Sequence, residues 1–304
     1  MFFGSSTFRP DEDIPDLSGQ VIIVTGGNAG LGYETIRQLA KHNPARIYLA
    51  ARSKEKATAA IQKLKESDPQ ASPIYFLHLD LSSFESVKAA VQEFKSRETR
   101  LDILMNNAGT MMVPEGLTKE GYEIQFGTNV MGPALLTQLL LPVLEKTVHV
   151  NPQARVVDLS SASEQMAPKN IYDFDRLKST WGDVHTTMRY CTSKIADIHY
   201  TSALAQHTPV KVISVHPGMV ATNLHHESTG IFLRPFLYIA SYLFATPVEK
   251  GALSQIWAAV SPDAKSGEFY SPVGVPGKGS KASQDHQLEN QLWDWIQKEL
   301  ADYL

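Results

Sequence analysis

The chain has 304 residues, of which 43% are hydrophobic and 20% are charged, so it can bury a large core. A formal net charge of −4 gives no electrostatic basis for nucleic-acid binding, and a single cysteine, Cys191, excludes both an internal disulfide and a cysteine-based metal cage. The first residues lack the pattern of a secretory signal and no stretch reaches the ~18 uninterrupted apolar residues of a membrane span, so we expect a soluble cytoplasmic protein without a transmembrane segment.

Short apolar runs alternate with longer helix-like segments along the chain. Runs without strict polar alternation are typical of strands buried on both faces, as in a parallel sheet. Their repeated alternation with helices predicts a doubly wound α/β fold with helices on both faces of the sheet. Because no repeat or linker divides the chain, we predict one domain over residues 1–304. The predicted strands are Val21–Val24, Arg46–Ala50, Ile74–Leu79, Leu101–Met105, Arg155–Leu159 and Lys211–Val215, and the predicted helices lie near 30–42, 53–66, 83–96, 118–147, 186–207 and 246–260.

A glycine-rich turn joins the first predicted strand to the first predicted helix. Its glycines, Gly26, Gly30 and Gly32, have the spacing Gly-x-x-x-Gly-x-Gly. Between a strand and a helix, such glycines let the backbone approach a dinucleotide pyrophosphate, and the helix end supplies bare N–H groups and partial positive charge. The turn therefore predicts a dinucleotide site, although glycine clusters also form ordinary turns.

The residues after the second strand bear on which dinucleotide binds. An NAD site usually carries an acid about 20 residues past the glycines, where it bonds the ribose 2′-hydroxyl. Here Ala51 occupies that place, and Arg52 can pair with a 2′-phosphate, helped by Ser53. We therefore predict NADP(H) as the cofactor. The alternative is that Arg52 is a surface arginine at the start of the next helix.

Polar residues lie where the fourth and fifth strands end, the edge of an α/β sheet at which active sites form. The fourth strand is followed by Asn107, Ala108 and Gly109, and the fifth by a serine pair that includes Ser161. Asn129 lies in the helix between these two strands. Each residue has another interpretation, as part of a turn, as a helix cap or as a partner of buried backbone.

Tyr190 and Lys194 are four residues apart in a predicted helix, and therefore lie on one face about a turn from each other. A lysine ammonium near a tyrosine hydroxyl favours the phenolate, so we expect the pKa of Tyr190 to fall from its usual ~10 toward working pH. The tyrosine could then act as a proton donor or acceptor. The alternative is an exposed helix face.

Neither cysteine nor histidine chemistry is indicated by the sequence. Cys191 adjoins Tyr190, but successive helix positions point about 100° apart, so we interpret it as buried packing. The ten histidines show no ligand spacing, and the adjacent His225 and His226 cannot easily face one metal ion. We therefore predict no metal site.

The C-terminal part of the chain departs from the strand–helix alternation. A short strand is predicted at Glu268–Tyr270, and a tail at about 271–304 follows, with a Gly/Pro-rich turn and a final amphipathic helix. We expect Trp293 and Trp295 of this helix to pack on the body of the protein or on a neighbouring subunit.

Taken in order, these motifs resemble those of the short-chain dehydrogenase/reductase family, and the sequence is most similar to its retinol-dehydrogenase-like and WW-domain-oxidoreductase-like branch. The resemblance runs from about Leu17 to Tyr270 and implies a Rossmann fold that binds a nicotinamide cofactor. Asp158 departs from the pattern, because an asparagine often precedes the serine pair. The motifs that carry the resemblance are Thr25-Gly26-x-x-x-Gly30-x-Gly32, Asn106-Asn107-Ala108-Gly109, Asn129, Ser161, Tyr190-x-x-x-Lys194 and Pro217-Gly218.

The resemblance implies a role for each catalytic candidate. Tyr190 would be the general acid in reduction and the base in oxidation, and Ser161 would hold the substrate oxygen. Lys194 would lower the pKa of Tyr190 and bind the nicotinamide ribose. Asn129 would position a water that links Lys194 to solvent.

The resemblance also implies the cofactor contacts. Asn107 would stabilise the centre of the sheet and contact the cofactor side. Asp80 would contact the adenine, with Leu81 beside the ring, and Pro217 and Gly218 would border the nicotinamide carboxamide. The full predicted cofactor set is Gly26, Asn28, Gly30, Leu31, Gly32, Arg52, Ser53, Asp80, Leu81, Asn107, Ala108, Gly109, Tyr190, Lys194, Pro217, Gly218, Val220 and Thr222.

In this family the segment after Pro217-Gly218 folds over the substrate. Here that lid, at about 219–245, is rich in apolar side chains, which implies a hydrophobic or aromatic carbonyl substrate. A core helix, a dimer contact and peripheral membrane attachment are the alternatives. The residues expected at the pocket are Phe232, Leu233, Phe236, Leu237, Tyr238 and Tyr242 in the lid, Met111, Met112 and Val113 opposite, and Trp181 and His185.

The sequence therefore predicts an NADPH-dependent oxidoreductase that reversibly reduces a ketone or aldehyde of a hydrophobic small molecule to the alcohol. An NAD-dependent alcohol dehydrogenase and a non-catalytic NADP(H)-binding sensor are the alternatives. A complete Asn–Ser–Tyr–Lys set argues against the sensor, because a pure binder does not need all four. The resemblance also implies a homodimer or homotetramer.

Overall fold

In the computed structural model of the chain, which describes residues 8–168, 170–218, 220, 246–277 and 279–304, the strands form one sheet of eight. They are β1 (Val21–Thr25), β2 (Arg46–Ala51), β3 (Ile74–His78), β4 (Ile103–Asn106), β5 (Arg155–Leu159), β6 (Lys211–Val215), β7 (Phe269–Ser271) and β8 (Val275–Pro276). Their order is β3-β2-β1-β4-β5-β6-β7-β8. Neighbouring strands are parallel except for β7 and β8, which are antiparallel. The predicted doubly wound parallel sheet is confirmed, and β8, which was not predicted, adds an antiparallel edge.

The order of the strands reverses at the centre of the sheet. β1 pairs with β2 on one side and with β4 on the other, with Val24 beside both Leu49 and Met105. In a doubly wound sheet the crevice at the carboxyl ends of such neighbours is where ligands bind. The glycine turn after β1 and the polar residues after β4 both lie at this crevice.

Helices cover both faces of the sheet, as predicted. Val21 and Ile23 of β1 lie in one buried cluster, whereas Ile22 and Val24 lie in another. Because successive side chains of a strand point to opposite faces, a strand between two helical layers is apolar throughout. The described α-helices are α1 (Pro10–Asp13), α2 (Gly30–Leu39), α3 (Lys54–Ser67), α4 (Phe84–Arg97), α5 (Ile124–Val148), α6 (Thr186–Ala205), α7 (Val248–Gly251), α8 (Leu253–Val260) and α9 (His286–Leu300).

The helix predicted to start near residue 118 begins at Ile124, so its predicted start was wrong. The backbone N–H of Thr118 donates to the carbonyl of Tyr122 at 2.9 Å, and Gly121 between them has a φ of +86°, so this stretch is a turn. The Glu123 carboxylate then accepts hydrogen bonds from the N–H groups of Gln125 and Phe126. A carboxylate at this position caps a helix and fixes its start.

Among the described residues, α5 is the one helix that is long and apolar enough to cross a membrane by length and composition. That the chain has no transmembrane segment stays a prediction. The apolar 18-residue window of this helix has a mean hydropathy of 1.2 and is 67% buried within the protein. The core helix of a soluble protein passes the same test, so the finding is weak evidence for a membrane span.

The C-terminal helix α9 packs on the body of the protein, as its sequence predicted. The Trp293 ring stacks on His207 with a centroid distance of 4.5 Å, and the Trp295 ring stacks on Phe174 at 5.2 Å. Stacked aromatic rings contribute beyond their buried area. The tail therefore belongs to the same core as α5 and α6.

Candidate active site

The turn between β1 and α2 has the geometry of an anion cradle. Gly26 and Gly30 have φ values of +67° and +55°, which side chains rarely adopt. A Cβ atom on Gly32 would lie 2.5 Å from Asn107 Nδ2 and 2.6 Å from the Gly26 carbonyl oxygen. The N-cap residue of α2, Ala29, makes no side-chain hydrogen bond to the helix. The first N–H groups of α2 are thus available to a phosphate, and the turn fits a dinucleotide.

Asn107 holds this turn in place from the end of β4. Its Nδ2 donates to the Thr25 carbonyl oxygen at 2.8 Å, and its backbone N–H donates to Thr25 Oγ1 at 3.0 Å. From α8, Gln255 Nε2 donates to Asn107 Oδ1 at 3.2 Å. The predicted stabilising role of Asn107 agrees with these contacts. Gln255 was missed, since a residue 148 positions away gives no local signal.

Arg52 lies at the carboxyl end of β2, beside the glycine turn. Its side chain is exposed, and none of the ion pairs among the described residues includes it. Ser53 is the N-cap of α3, and its Oγ accepts a hydrogen bond from Lys56 N at 3.2 Å. A guanidinium beside a helix N-terminus is chemically suited to a phosphate group.

Asp80 and Leu81 follow β3 and were both predicted at the adenine. Asp80 Oδ1 accepts hydrogen bonds from the backbone N–H and the hydroxyl of Ser82, at 3.0 and 2.7 Å. Leu81 is only 3% exposed, and its carbonyl oxygen lies against Gly132 of α5. The Leu81 side chain therefore faces the core, and that Leu81 lies beside the adenine ring stays a prediction.

The Ser161 side chain lies beside the Tyr190 hydroxyl at the carboxyl edge of the sheet, close enough to lower the pKa of that hydroxyl. Tyr190 is 8% exposed. Burial raises the pKa of Tyr190 above its ordinary value of 10, and the charge of Lys194 and the nearby Ser161 hydroxyl offset this only in part. The expected net decrease in this pKa was therefore wrong. The phenolate loses more hydration than Lys194 compensates.

Lys194 lies beneath the Tyr190 ring, with Nζ 5.9 Å from the ring centroid. Its ammonium donates to the Leu159 carbonyl oxygen at 2.7 Å and to Asp197 Oδ2 at 2.8 Å. Burial is the largest single effect and lowers the pKa of Lys194, but the charge and hydrogen bond of Asp197, with the charges of Tyr190 and Asp158, together outweigh it, and the net shift is upward. Lys194 is thus a buried cation at neutral pH. The contact with Asp197 was missed, although a lysine and an acid three residues apart on a helix are a recognisable pair.

Asn129 lies in a π-helical turn of α5, Gly127–Met131. Its Oδ1 accepts from Thr110 N at 2.8 Å, and its Nδ2 donates to Thr110 O and to Ser193 Oγ, both at 2.9 Å. A Cβ atom on Gly109 would lie 3.2 Å from Asn129 Oδ1 and 3.9 Å from Lys194 Nζ. Asn129, Gly109 and Lys194 are therefore neighbours. That Asn129 positions a water stays a prediction.

Asp158, the departure from the family pattern, is buried inside the sheet. Its Oδ1 accepts from Asn106 Nδ2 at 2.7 Å and its Oδ2 from Thr201 Oγ1 at 3.0 Å. Burial raises the pKa of Asp158 to about 6. Asp158 pairs with Asn106 of β4 and with Ser214 of β6, so an aspartate at this position is compatible with the strand ladder.

The residues after β6 approach the glycine turn from the other side. Gly218 has a φ of +89°, and its N–H donates to His216 Nδ1 at 3.3 Å. The space beside Gly251 of α7 is filled by Val220 and Leu31. The structure thus brings Val220 and Leu31, two of the predicted cofactor residues, to the same helix. Thr222, His225, His226 and the predicted lid residues lie outside the described residues.

Polar bonds shape the wall formed by Met111, Met112 and Val113. Gln125 Oε1 accepts from Met112 N at 2.7 Å, and Gln125 Nε2 donates to the Thr186 carbonyl oxygen at 3.0 Å. Thr186 Oγ1 in turn donates to the Val113 carbonyl oxygen at 2.9 Å. These bonds connect the wall to the N-terminal end of α6, the helix that carries Tyr190.

Three other predictions about side chains can be compared with the structure. Trp181 is 4% exposed and lies in the main core cluster, and His185 caps α6 by accepting from Thr187 N. Cys191 is buried, as predicted, and burial raises the pKa of its thiol. Within the described part of the chain, no group of three His, Cys, Asp or Glu residues could hold a metal ion.

Comparisons with known proteins agree with this arrangement. The sequence profile of the short chain dehydrogenase family matches residues 20–172. A short-chain dehydrogenase/reductase of Armillaria gallica is 41% identical, with 96% of this chain and 93% of that protein covered. The polyprenol dehydrogenase of Danio rerio is 35% identical, with 92% and 86% covered, and that of Homo sapiens is 34% identical, with 92% and 84% covered.

Solved structures share the fold. A crystal structure of a protein from Mycobacterium paratuberculosis has a TM-score of 0.74 and 26% identity, and covers 96% of this chain and 97% of that one. NADPH-bound carbonyl reductase from chicken fatty liver has a TM-score of 0.63 and 22% identity, with 86% and 99% covered. At that identity the second likeness shows the fold alone.

Proposed function

The chain belongs to the short-chain dehydrogenase/reductase family of oxidoreductases, and from this we propose that it is an NADPH-dependent reductase of hydrophobic ketones or aldehydes, reversible to alcohol oxidation. One observation carries the proposal. The Ser161 side chain and the Lys194 ammonium both lie beside Tyr190, at the sheet edge that also holds the glycine turn. Two hydroxyl donors and a fixed cation are suited to a carbonyl oxygen on which negative charge develops.

In this mechanism Ser161 and Tyr190 act on the substrate oxygen, and Lys194 acts on Tyr190. The nicotinamide, when bound, supplies the hydride. Ser161 donates a hydrogen bond to the carbonyl oxygen, and Tyr190 gives that oxygen its proton. Burial raises the pKa of Tyr190 above its ordinary value, so the phenol is protonated at neutral pH, which is the form that reduction requires. Lys194 stabilises the phenolate that remains.

The proposed preference for NADPH rests on Arg52 and Ala51. The helix N-terminus of α2 and the glycine turn would hold the pyrophosphate, and Arg52 with the N-terminal end of α3 would hold the 2′-phosphate. Ala51 provides no acid to bond a free 2′-hydroxyl or to repel a phosphate.

Arg52→Ala is expected to raise the Kd for NADPH about 10- to 100-fold, the loss of one charge-assisted contact, and to leave the Kd for NADH within about 2-fold. Titrations of nicotinamide fluorescence with both nucleotides measure this. Arg97→Ala, which removes another exposed arginine, is the matched control and should change neither Kd. Equal weakening of both nucleotides would show that Arg52 does not recognise the 2′-phosphate.

The proposed hydrophobic substrate is supported by the names of two relatives, since polyprenol is an apolar alcohol. Two polyprenol dehydrogenases, 34% and 35% identical, match most of the chain. A panel of aldehydes and ketones of increasing chain length, followed by NADPH absorbance, tests the class, with isoprenoid alcohols as the reverse reaction. We expect kcat/KM to rise with apolar length. Turnover of alcohols with NAD⁺ alone would instead support an NAD-dependent alcohol dehydrogenase.

A further inference from the structure

A second buried acid lies behind the catalytic lysine. Asp197 follows Lys194 by one turn of α6, and its Oδ2 is 2.8 Å from Lys194 Nζ. Asp197 is 7% exposed and Lys194 is 6% exposed, so water screens the pair poorly. The ammonium has three N–H donors, and Asp197 and the Leu159 carbonyl oxygen take two of them. This contact therefore decides where the third donor points.

The charged and titratable groups around Asp197 come from three parts of the fold. Lys194 and Tyr190 are on α6 itself, and Asp158 comes from β5. Tyr172 comes from the segment before α6, where its hydroxyl lies 2.7 Å from His199 Nδ1. Of these, Lys194 is the one whose contact with Asp197 is a direct ion pair.

We propose, on the basis of the function proposed above, that Asp197 is a positioning residue that fixes the Lys194 ammonium and, through its negative charge, opposes the loss of the Tyr190 proton. Asp197 neither touches substrate nor transfers the proton. It acts through Lys194, whose attraction for a phenolate it partly cancels.

The electrostatics give this effect a direction. The Asp197 carboxylate raises the pKa of Tyr190, whereas Lys194 lowers it. Burial raises the pKa of Asp197 itself to about 7, so the carboxylate is present above neutral pH and is neutralised below it. Removing the charge of Asp197 therefore leaves Lys194 uncompensated and makes Tyr190 a stronger acid.

The test is Asp197→Asn, which keeps the size and a hydrogen-bond acceptor but removes the charge. Tyrosine labelled with carbon-13 at Cζ reports each phenol by NMR, and the signal missing from Tyr190→Phe identifies Tyr190. We expect the pKa of Tyr190 to fall by about one unit in Asp197→Asn. Asp102→Asn is the matched control, because Asp102 is also buried but accepts its bonds from Val21 and Arg100 at the opposite end of the sheet. It should leave the Tyr190 signal unmoved.

An unchanged Tyr190 pKa in Asp197→Asn would overturn the proposal, as would an equal shift in Asp102→Asn. If Asp197→Asn does not fold, Asp197→Ser, which also removes the charge, is measured in its place. Because the measurement needs neither substrate nor nucleotide, it is separate from the proposed function. Once a substrate is known, the pKa read from the pH dependence of kcat should also fall by about one unit, in reduction and in oxidation. A merely structural role would lower kcat without moving it.

Discussion

Tyr190→Phe is expected to lower kcat about 10³-fold while the Kd for NADPH stays within about 2-fold. The substitution removes one hydroxyl and keeps a ring that is 8% exposed, so the packing around it is retained. In the proposed mechanism this hydroxyl donates the proton to the substrate oxygen, so its loss leaves Ser161 as the one hydroxyl donor to that oxygen. Steady-state kinetics on the best carbonyl substrate give kcat, and fluorescence titration gives the nucleotide affinity.

Tyr200→Phe is the control for this variant. Tyr200 lies on the same helix and is 4% exposed, and its hydroxyl makes a long bond of 3.3 Å to the Ala134 carbonyl oxygen. We expect its kcat to stay within about 3-fold of wild type, since the hydroxyl is remote from the reacting atoms. Full activity in Tyr190→Phe would exclude Tyr190 as the general acid and with it the proposed mechanism.

The fold could be predicted because its signals are local. A strand between two helical layers is apolar at every position, and β1 shows this in four consecutive residues, Val21–Val24. The start of α5 could not be predicted from periodicity. It depends on the Glu123 carboxylate as a cap and on the turn at Gly121, which compete with helical continuation.

The candidate site likewise has some features that local sequence predicts and others that depend on tertiary structure. Tyr190 and Lys194 share a helix face by their spacing alone, but the direction of the Tyr190 pKa depends on burial by the whole fold. Gln255 reaches Asn107 from a helix far along the chain, and no motif indicates that contact. Leu81 follows a strand as adenine-binding residues do, yet its side chain packs against α5. Local motifs thus predict which residues lie at the candidate site, and tertiary packing decides which of their atoms face it.

The glycine turn permits an equally strong test of cofactor binding. Gly32→Ala is expected to raise the Kd for NADPH about 100-fold, because the added Cβ would lie 2.5 Å from Asn107 Nδ2 and 2.6 Å from the Gly26 carbonyl oxygen. Both neighbours are held, since Asn107 is bonded to Thr25 and to Gln255, and the Gly26 N–H donates to the Ala50 carbonyl oxygen at 2.8 Å. The turn must therefore move, and with it the N–H groups at the start of α2. Overpacking of this kind also costs about 1 to 3 kcal/mol of stability, which the melting temperature reports.

Gly116→Ala is the control for Gly32→Ala, because it shows whether adding a methyl group at a glycine far from the turn also weakens nucleotide binding. A Cβ atom on Gly116 would lie 3.7 Å from Ile124 Cβ, which is an ordinary contact, so we expect wild-type affinity and stability. If Gly32→Ala is folded and binds NADPH as wild type does, the glycine turn does not hold the pyrophosphate. If Gly32→Ala binds both NADPH and NADH more weakly while Arg52→Ala binds only NADPH more weakly, the glycine turn and Arg52 recognise different parts of the dinucleotide. The turn would then recognise the pyrophosphate common to both nucleotides, and the end of β2 the phosphate that distinguishes them.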